Sequence, residues 1–265
     1  MTRILIAPYQ NRESMKLEII KLNNIIYIND IKVKEQDISE RNKMFCFYGY
    51  KFETLSTIPK LTNDKEELEK MLKERSNEIV DNHIESASVF ETKLGEHSLL
   101  MGAEVDCIDD TNRNSYVELK TSRIIENEKQ QFSFERYKLL KFWAQSYLAG
   151  IPKIVIGFRD DNGMLKQIKT LNTLEIPNMV KGKRSEWDPN VCLCFANGFF
   201  NWLKQNISGN NQNNYYIVNY DSSIMTFNIQ KENNSCEFLL MEYLNSIKSF
   251  NQGGDIKGSL ENKQD

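Results

Sequence analysis

The sequence predicts a mixed α/β (α+β) fold, built as one domain over residues 1–250, and three observations carry that expectation. Short segments such as Tyr116-Val117-Glu118-Leu119-Lys120-Thr121 alternate polar and apolar residues with the period of a strand. The stretch from Phe132 to Leu148 instead repeats its apolar residues at helical spacing, and Gly150 and Pro152 end it. Between such segments lie clusters of Asn, Asp and Gly, the residues that make tight turns. A hydrophobic fraction of 40% in 265 residues is enough for a substantial core.

Taken in order, the first 30 residues read as strands. Lys16 to Leu22 and Ile25 to Ile28 flank Asn23-Asn24, and asparagine tolerates positive φ, so the pair predicts a hairpin. Residues 33–43 are charged and read as surface helix or loop, followed by the aromatic run Met44 to Tyr48 and then Gly49-Tyr50-Lys51-Phe52-Glu53. Thr62 or Asn63 can cap a helix whose first turn is acidic and which ends near Asn82. A short helix is expected from Ala87 to Leu94, stopped by Gly95. Leu99 opens a strand that runs to Cys107, Asp109 to Asn114 turn the chain, and Tyr116 to Thr121 return. After the helix at 132–148 come a buried strand, Lys153 to Arg159, a turn at Asp160 to Gly163, and a strand from Met164 to Leu171. A helix from Val191 to Ile207 and strands within Val218 to Ile229 follow. The Asn- and Gln-rich stretch at 205–215 reads as a loop, and residues 251–265 as a disordered tail.

Composition narrows the function. A formal net charge of -3 argues against non-specific coating of nucleic acid, though a local basic funnel stays open. No apolar run approaches the roughly 20 residues of a membrane span. Five cysteines form no disulfide framework and no signal peptide opens the chain, so a reduced nuclear or cytosolic monomer, away from membranes, is expected. Cys192 and Cys194 are expected in the core. The only two histidines, His83 and His97, lack ligands at zinc spacing and are expected on the surface.

One constellation can carry chemistry. In a strand, Glu104 and Asp106 share a face and Val105 turns to the core; likewise Glu118 and Lys120 share a face opposite Leu119. Paired as a hairpin, these strands would bring three carboxylates and an ammonium together. Hard oxygen ligands suit Mg²⁺ or Mn²⁺. A neighbouring lysine can orient water and offset charge on a phosphate. Acid on one strand and Glu-x-Lys on the next is the logic of metal-dependent nucleases. Alternating charge also describes any half-exposed strand, and spacing alone leaves that alternative open.

Several segments in order resemble the decapping exoribonuclease family, with the fungal members that bind the nuclear 5′→3′ exoribonuclease. They are Ile4 to Tyr9, Gly49 to Glu53, Gly102 to Cys107, Tyr116 to Thr121, Lys138 to Ser146, Val155 to Arg159 and Trp187 to Cys192. The resemblance implies a large twisted mixed β-sheet flanked by helices, a smaller antiparallel sheet and a D/E-x-K nuclease core. It implies that Glu53, Glu104, Asp106, Glu118 and the Leu119 carbonyl hold Mg²⁺ or Mn²⁺. It implies that Glu53, Lys120 and Gln145 meet the substrate, Lys120 and Gln145 positioning water and phosphate. The implied catalytic set is Glu104, Asp106, Glu118, Lys120 and Gln145. The implied substrates are RNA 5′ ends: incomplete caps, NAD caps and 5′-triphosphates, with 5′→3′ exonucleolysis in some members. Without the resemblance, Glu53 and Gln145 read as ordinary polar surface positions.

The sequence departs from the family at two points. A family arginine just before the Ile4–Tyr9 segment would fall upstream of Met1, with Arg3 matching a basic residue after it. The turn between the two acidic strands is also shorter than in animal members. Two functions stay in view: an active 5′-end hydrolase, or a weakly active or inactive scaffold that stabilises a 5′→3′ exoribonuclease.

Overall fold

The computed structural model describes residues 1–10, 14–31, 39–81, 86–112, 115–209 and 215–232, with Leu239 and Tyr243. In chain order the elements are α1 (Thr2–Ile6), β1 (Met15–Leu22), β2 (Ile25–Asp30), α2 (Glu40–Ser56), α3 (Lys65–Asn77), β3 (Ala87–Leu94) and β4 (His97–Glu104). There follow β5 (Cys107–Ile108), β6 (Tyr116–Arg123), α4 (Glu128–Ser133), α5 (Leu140–Leu148), β7 (Lys153–Arg159) and β8 (Leu165–Asn172). Last come α6 (Ile176–Val180), α7 (Pro189–Asn206), β9 (Tyr215–Asp221) and β10 (Thr226–Glu232). A π turn, Phe134–Leu139, joins α4 to α5. The class is mixed α+β, and the chain divides into two compact units.

One unit holds an antiparallel sheet in the order β10-β9-β1-β2. Asn23 (φ 49) and Asn24 (φ 64) both adopt left-handed backbone, the requirement of a type I′ hairpin turn, and join β1 to β2 as expected. Leu17, Ile19 and Ile20 of β1 and Tyr216 to Val218 of β9 are buried.

The other unit is organised on a mixed sheet in the order β5-β6-β7-β8. β6 and β7 run parallel, joined by the α4–α5 crossover, and β8 returns antiparallel at the edge. β7 has the character of a strand covered on both faces: Ile154, Ile156, Gly157 and Phe158 are all buried. On one face α5 buries Leu140, Phe142, Trp143, Ala144 and Leu148, with the Trp143 ring 5.2 Å from that of Trp187. On the other face lies α2, whose Phe52 joins Val117 and Leu119 in a small apolar cluster. Gly157 permits that approach. A Cβ there would stand 2.6 Å from Phe52 Cε2.

The structure corrects several expectations. Residues 2–6 form a helix rather than a strand, burying Ile4, Leu5 and Ile6. Asp64, not Thr62 or Asn63, caps α3, its carboxylate accepting from the Glu66 and Glu67 amides. Ala87–Leu94 is strand β3, not a helix. It pairs with β4 across a two-residue turn in which Gly95 (φ 59) supplies the left-handed position. The alternation of Ser88, Phe90, Thr92 and Leu94 inward with the intervening residues outward is the pattern that decides it. His97 is buried, not on the surface; its Nε2 lies 3.1 Å from Asn201 Oδ1 and its ring packs on Phe200. Cys192 is buried as expected, but Cys194 is exposed. His83 and the 251–265 tail lie outside the described residues. No described helix is long and apolar enough to cross a membrane.

Candidate active site

The acids expected on one hairpin come from three places. Glu104 ends β4, which pairs with β3 alone, so it does not lie across from Glu118 in a hairpin. Val105 keeps one more rung, its amide donating to the Ser86 carbonyl at 2.9 Å, before Asp106 leaves the ladder; its side chain is half-buried rather than in the core. Only the two residues of β5 pair with β6, Cys107 opposite Val117 and Ile108 opposite Tyr116. From Leu119 onward this edge of β6 is open to Asp106.

Asp106 uses that opening. Its Oδ2 accepts a hydrogen bond from the Leu119 amide at 2.5 Å. Along a strand, a residue's N–H and C=O project to the same side. The Leu119 carbonyl therefore also points to the open edge, away from β7, while the Leu119 side chain is buried at 4% exposure.

Alternation in β6 holds as expected for the next pair. Glu118 and Lys120 share a face, and the Lys120 ammonium is in ion-pair contact with Glu118 Oε1. Glu118 is 1% exposed; Lys120 meets its Oε1, and its Oε2 has no hydrogen-bond partner. Burial pushes the Glu118 pKa up, opposed by Lys120 and reinforced by Asp106 and Glu104. Burial works against the Lys120 ammonium too, but Glu118, Asp106 and Glu53 outweigh it and hold that pKa above its usual value.

Glu53 arrives from α2. Phe52 anchors the helix on Gly157, and the next side chain falls beside the open edge. Its pKa is raised to about 7, first by burial and then by Asp106, with Glu104 and Glu118 adding to the repulsion and Lys120 opposing it. Glu53, Glu104, Asp106, Glu118 and Lys120 thus share one electrostatic neighbourhood; the sequence placed the last four on a single hairpin, and only the family resemblance added Glu53.

Gln145 is half-buried on α5, and its amide makes no hydrogen bond to these carboxylates. The direction of its helix can still be fixed. Lys138, seven residues earlier, donates to Ser122 Oγ at 3.0 Å, and Ser122 shares the face of β6 that carries Glu118 and Lys120. Seven residues make about two helical turns, or ~10 Å. Four strand residues from Ser122 back to Glu118 make ~13 Å. A crossover helix runs antiparallel to its strands, so α5 leads from the level of Ser122 back toward that of Glu118 and Lys120. Sequence reasoning missed the Lys138–Ser122 pair, which no local spacing announces.

The residues fit a hard divalent cation. The donors are carboxylate and carbonyl oxygens, and Glu118 Oε2, buried without a hydrogen-bond partner, is an atom that a cation would satisfy. Among the described residues no three His, Cys, Asp or Glu side chains are gathered at ligand spacing. Lys120 serves as counter-ion to Glu118, while like charge keeps the other acids apart.

The family model described as RAI1-like PD-(D/E)XK nuclease matches residues 1–244. The chain belongs to that family. Among its RAI1-like relatives, the decapping nuclease RAI1 of Neurospora crassa is 39% identical over 224 residues, covering 78% of this chain but 54% of the relative. The chain thus spans about half the length of that curated relative. The crystal structure of Scheffersomyces stipitis Rai1 in complex with (3′-NADP)⁺ and calcium ion has a TM-score of 0.82 at 30% identity, over 94% of this chain and 72% of that one. Candida albicans Rai1 in complex with pU5 and Mn²⁺ has a TM-score of 0.74 at 30% identity, over 87% and 66%.

Proposed function

We propose that this chain hydrolyses phosphate linkages at RNA 5′ ends with Mg²⁺ or Mn²⁺. Glu53, Glu104, Asp106, Glu118 and the Leu119 carbonyl hold the cation in this reading. The observation that carries it is Glu118, a buried carboxylate paired with Lys120 through Oε1 but with Oε2 unpartnered, set among three further acids. A bound cation would lower the pKa of a water and offset charge building on the phosphate. The Lys120 Nζ is the group that donates to the attacking water or to a non-bridging phosphate oxygen. The Gln145 amide orients the same group. The Asp106 carboxylate keeps the Leu119 peptide aimed at the open edge.

The complexes of the two yeast relatives with pU5 and with (3′-NADP)⁺ support a nucleotide substrate and extend the proposal to NAD-type ends. Incomplete caps, NAD caps and 5′-triphosphates are the proposed substrates, 5′→3′ exonucleolysis a further activity, and a nuclear 5′→3′ exoribonuclease the proposed partner. Purified protein is to be incubated with RNAs that carry one sequence and different labelled 5′ ends, with Mn²⁺, with Mg²⁺ and with EDTA. Metal-dependent release from at least one end is expected. Complete inactivity on every end, with a stable complex formed with the exoribonuclease, would replace this reading by the scaffold one.

A further inference from the structure

We infer that Arg159 is the residue that positions Glu53, an inference that rests on the proposed metal-dependent site. The helix α2 buries only Phe52 among its 17 residues. It lacks the apolar stripe that ordinarily fixes how a helix is rotated about its own axis. Contacts with the β7–β8 hairpin take over that task. Phe52 lies on the bare backbone of Gly157, and the Tyr48 ring lies where a Cβ of Gly163 would stand. The Arg159 guanidinium packs against two neighbouring rings of α2, its central carbon 4.6 Å from the Phe45 ring centre and 4.5 Å from that of Tyr48, with the two ring centres 6.5 Å apart.

Arg159 does this in a way an apolar residue could not. It is 7% exposed, its Nη1 donates to the Asp160 carbonyl at 2.9 Å, and its Nε is buried without an acceptor. An idle buried donor on a charged group costs stability, so filling space does not explain an arginine here. A cation that meets two rings one helical turn apart, both on the side of α2 turned to β7, restrains the distance and the rotation of the helix that carries them. Phe45 and Tyr48 are one helical turn apart, and Glu53 lies five residues beyond Tyr48 on the same rigid element. Rotation of α2 therefore carries the Glu53 carboxylate away from Asp106 and Lys120. Arg159 is a positioning residue, acting on the site through α2 alone.

The test uses the full chain with Arg159→Leu, Arg159→Lys, Glu53→Gln and the Arg159→Leu/Glu53→Gln pair. Mn²⁺ binding without RNA is followed by titration calorimetry, and amide exchange across α2 by mass spectrometry in EDTA. Arg159→Leu is expected to weaken Mn²⁺ binding about tenfold, the usual scale for a group supporting a ligand. Arg159→Lys should recover part of that loss. The double variant should bind no more weakly than Glu53→Gln alone, since the two act in series. Amides of α2 should exchange faster in Arg159→Leu than in the wild type. Multiplying losses in the double variant, or unchanged α2 exchange, would overturn the inference. If Arg159→Leu does not fold, Tyr48→Leu removes one of the two ring contacts and is expected to give the same pattern. Wild-type protein that binds no Mn²⁺ would count against the metal site itself, while α2 exchange would still decide whether Arg159 holds the helix.

Discussion

The Asp106 carboxylate accepts the Leu119 amide at 2.5 Å and so stands where a neighbouring strand would otherwise pair. A side chain has replaced a strand at the edge of β6. The edge is open from Leu119 onward, and Glu53, Glu118 and Lys120 share the electrostatic neighbourhood around it. Several consequences of this layout can be measured.

The first concerns the tension between stability and function at Glu53. Burial and three neighbouring acids raise its pKa to about 7, so its charged form destabilises the metal-free fold. Discounted for its partial exposure, the strain is about 1 kcal/mol at neutral pH. Glu53→Gln should raise Tm in EDTA by about 2–4 °C. The gain should shrink or vanish in Mn²⁺, which stabilises the wild type more than the variant. Melting curves with and without metal decide this, and a lower Tm in EDTA would contradict it.

Lys120 should behave differently. Lys120→Met removes the ammonium that meets Glu118 but none of the oxygen donors. Turnover is expected to fall by about 10²–10³, the scale of losing one charge-stabilising donor. Mn²⁺ binding should hold or strengthen, since a competing cation has gone. Single-turnover kinetics beside calorimetry separates the two effects.

A third prediction tests the seating of α2. Gly157→Ala puts a Cβ 2.6 Å from Phe52 and 3.0 Å from Leu165. Overpacking of this kind costs about 1–3 kcal/mol. Urea unfolding should show that loss, and activity should fall further than stability because Phe52 carries Glu53 with it.

A fourth addresses acid sensitivity away from the site. Burial pushes the Glu135 pKa up, but hydrogen bonds from Lys183, Ser185 and Gln131 outweigh it and hold the carboxyl below its usual value of 4.5. A carboxylate with a lowered folded pKa contributes fully above the unfolded value and loses that contribution as pH falls through the folded one. Stability should thus decline from about pH 5 downward. Glu135→Gln should cost about 1–3 kcal/mol at neutral pH and flatten the decline. Urea midpoints between about pH 3 and 7 measure both.

Much of this was legible in the sequence where one local rule acts alone. Asn23-Asn24 requires left-handed backbone and forms the expected hairpin. Alternation set Glu118 and Lys120 on one face, and they meet there. Reading failed where a rule needed its partner. Gly95 marks the end of a helix or the turn of a hairpin equally well, and only the pairing of β3 with β4 decides between them. Glu104 and Asp106 sit two apart as in a strand, yet the ladder stops between them. The position of Glu53 depends on Phe52 meeting Gly157, residues 105 apart in sequence with no local pattern to link them.

The π turn at Phe134–Leu139 has a consequence for how the chain tolerates insertions and deletions. Such a turn is one residue inserted into an α-helix. It sets the phase of everything downstream, Gln145 included, against the half that begins at Glu128. Deleting one residue within it would restore an unbroken helix and swing α5 by about 100°. Trp143 would leave the interior and Gln145 would face another direction, with every other residue type unchanged. The length of this segment is therefore as constrained as the identity of the side chains it carries.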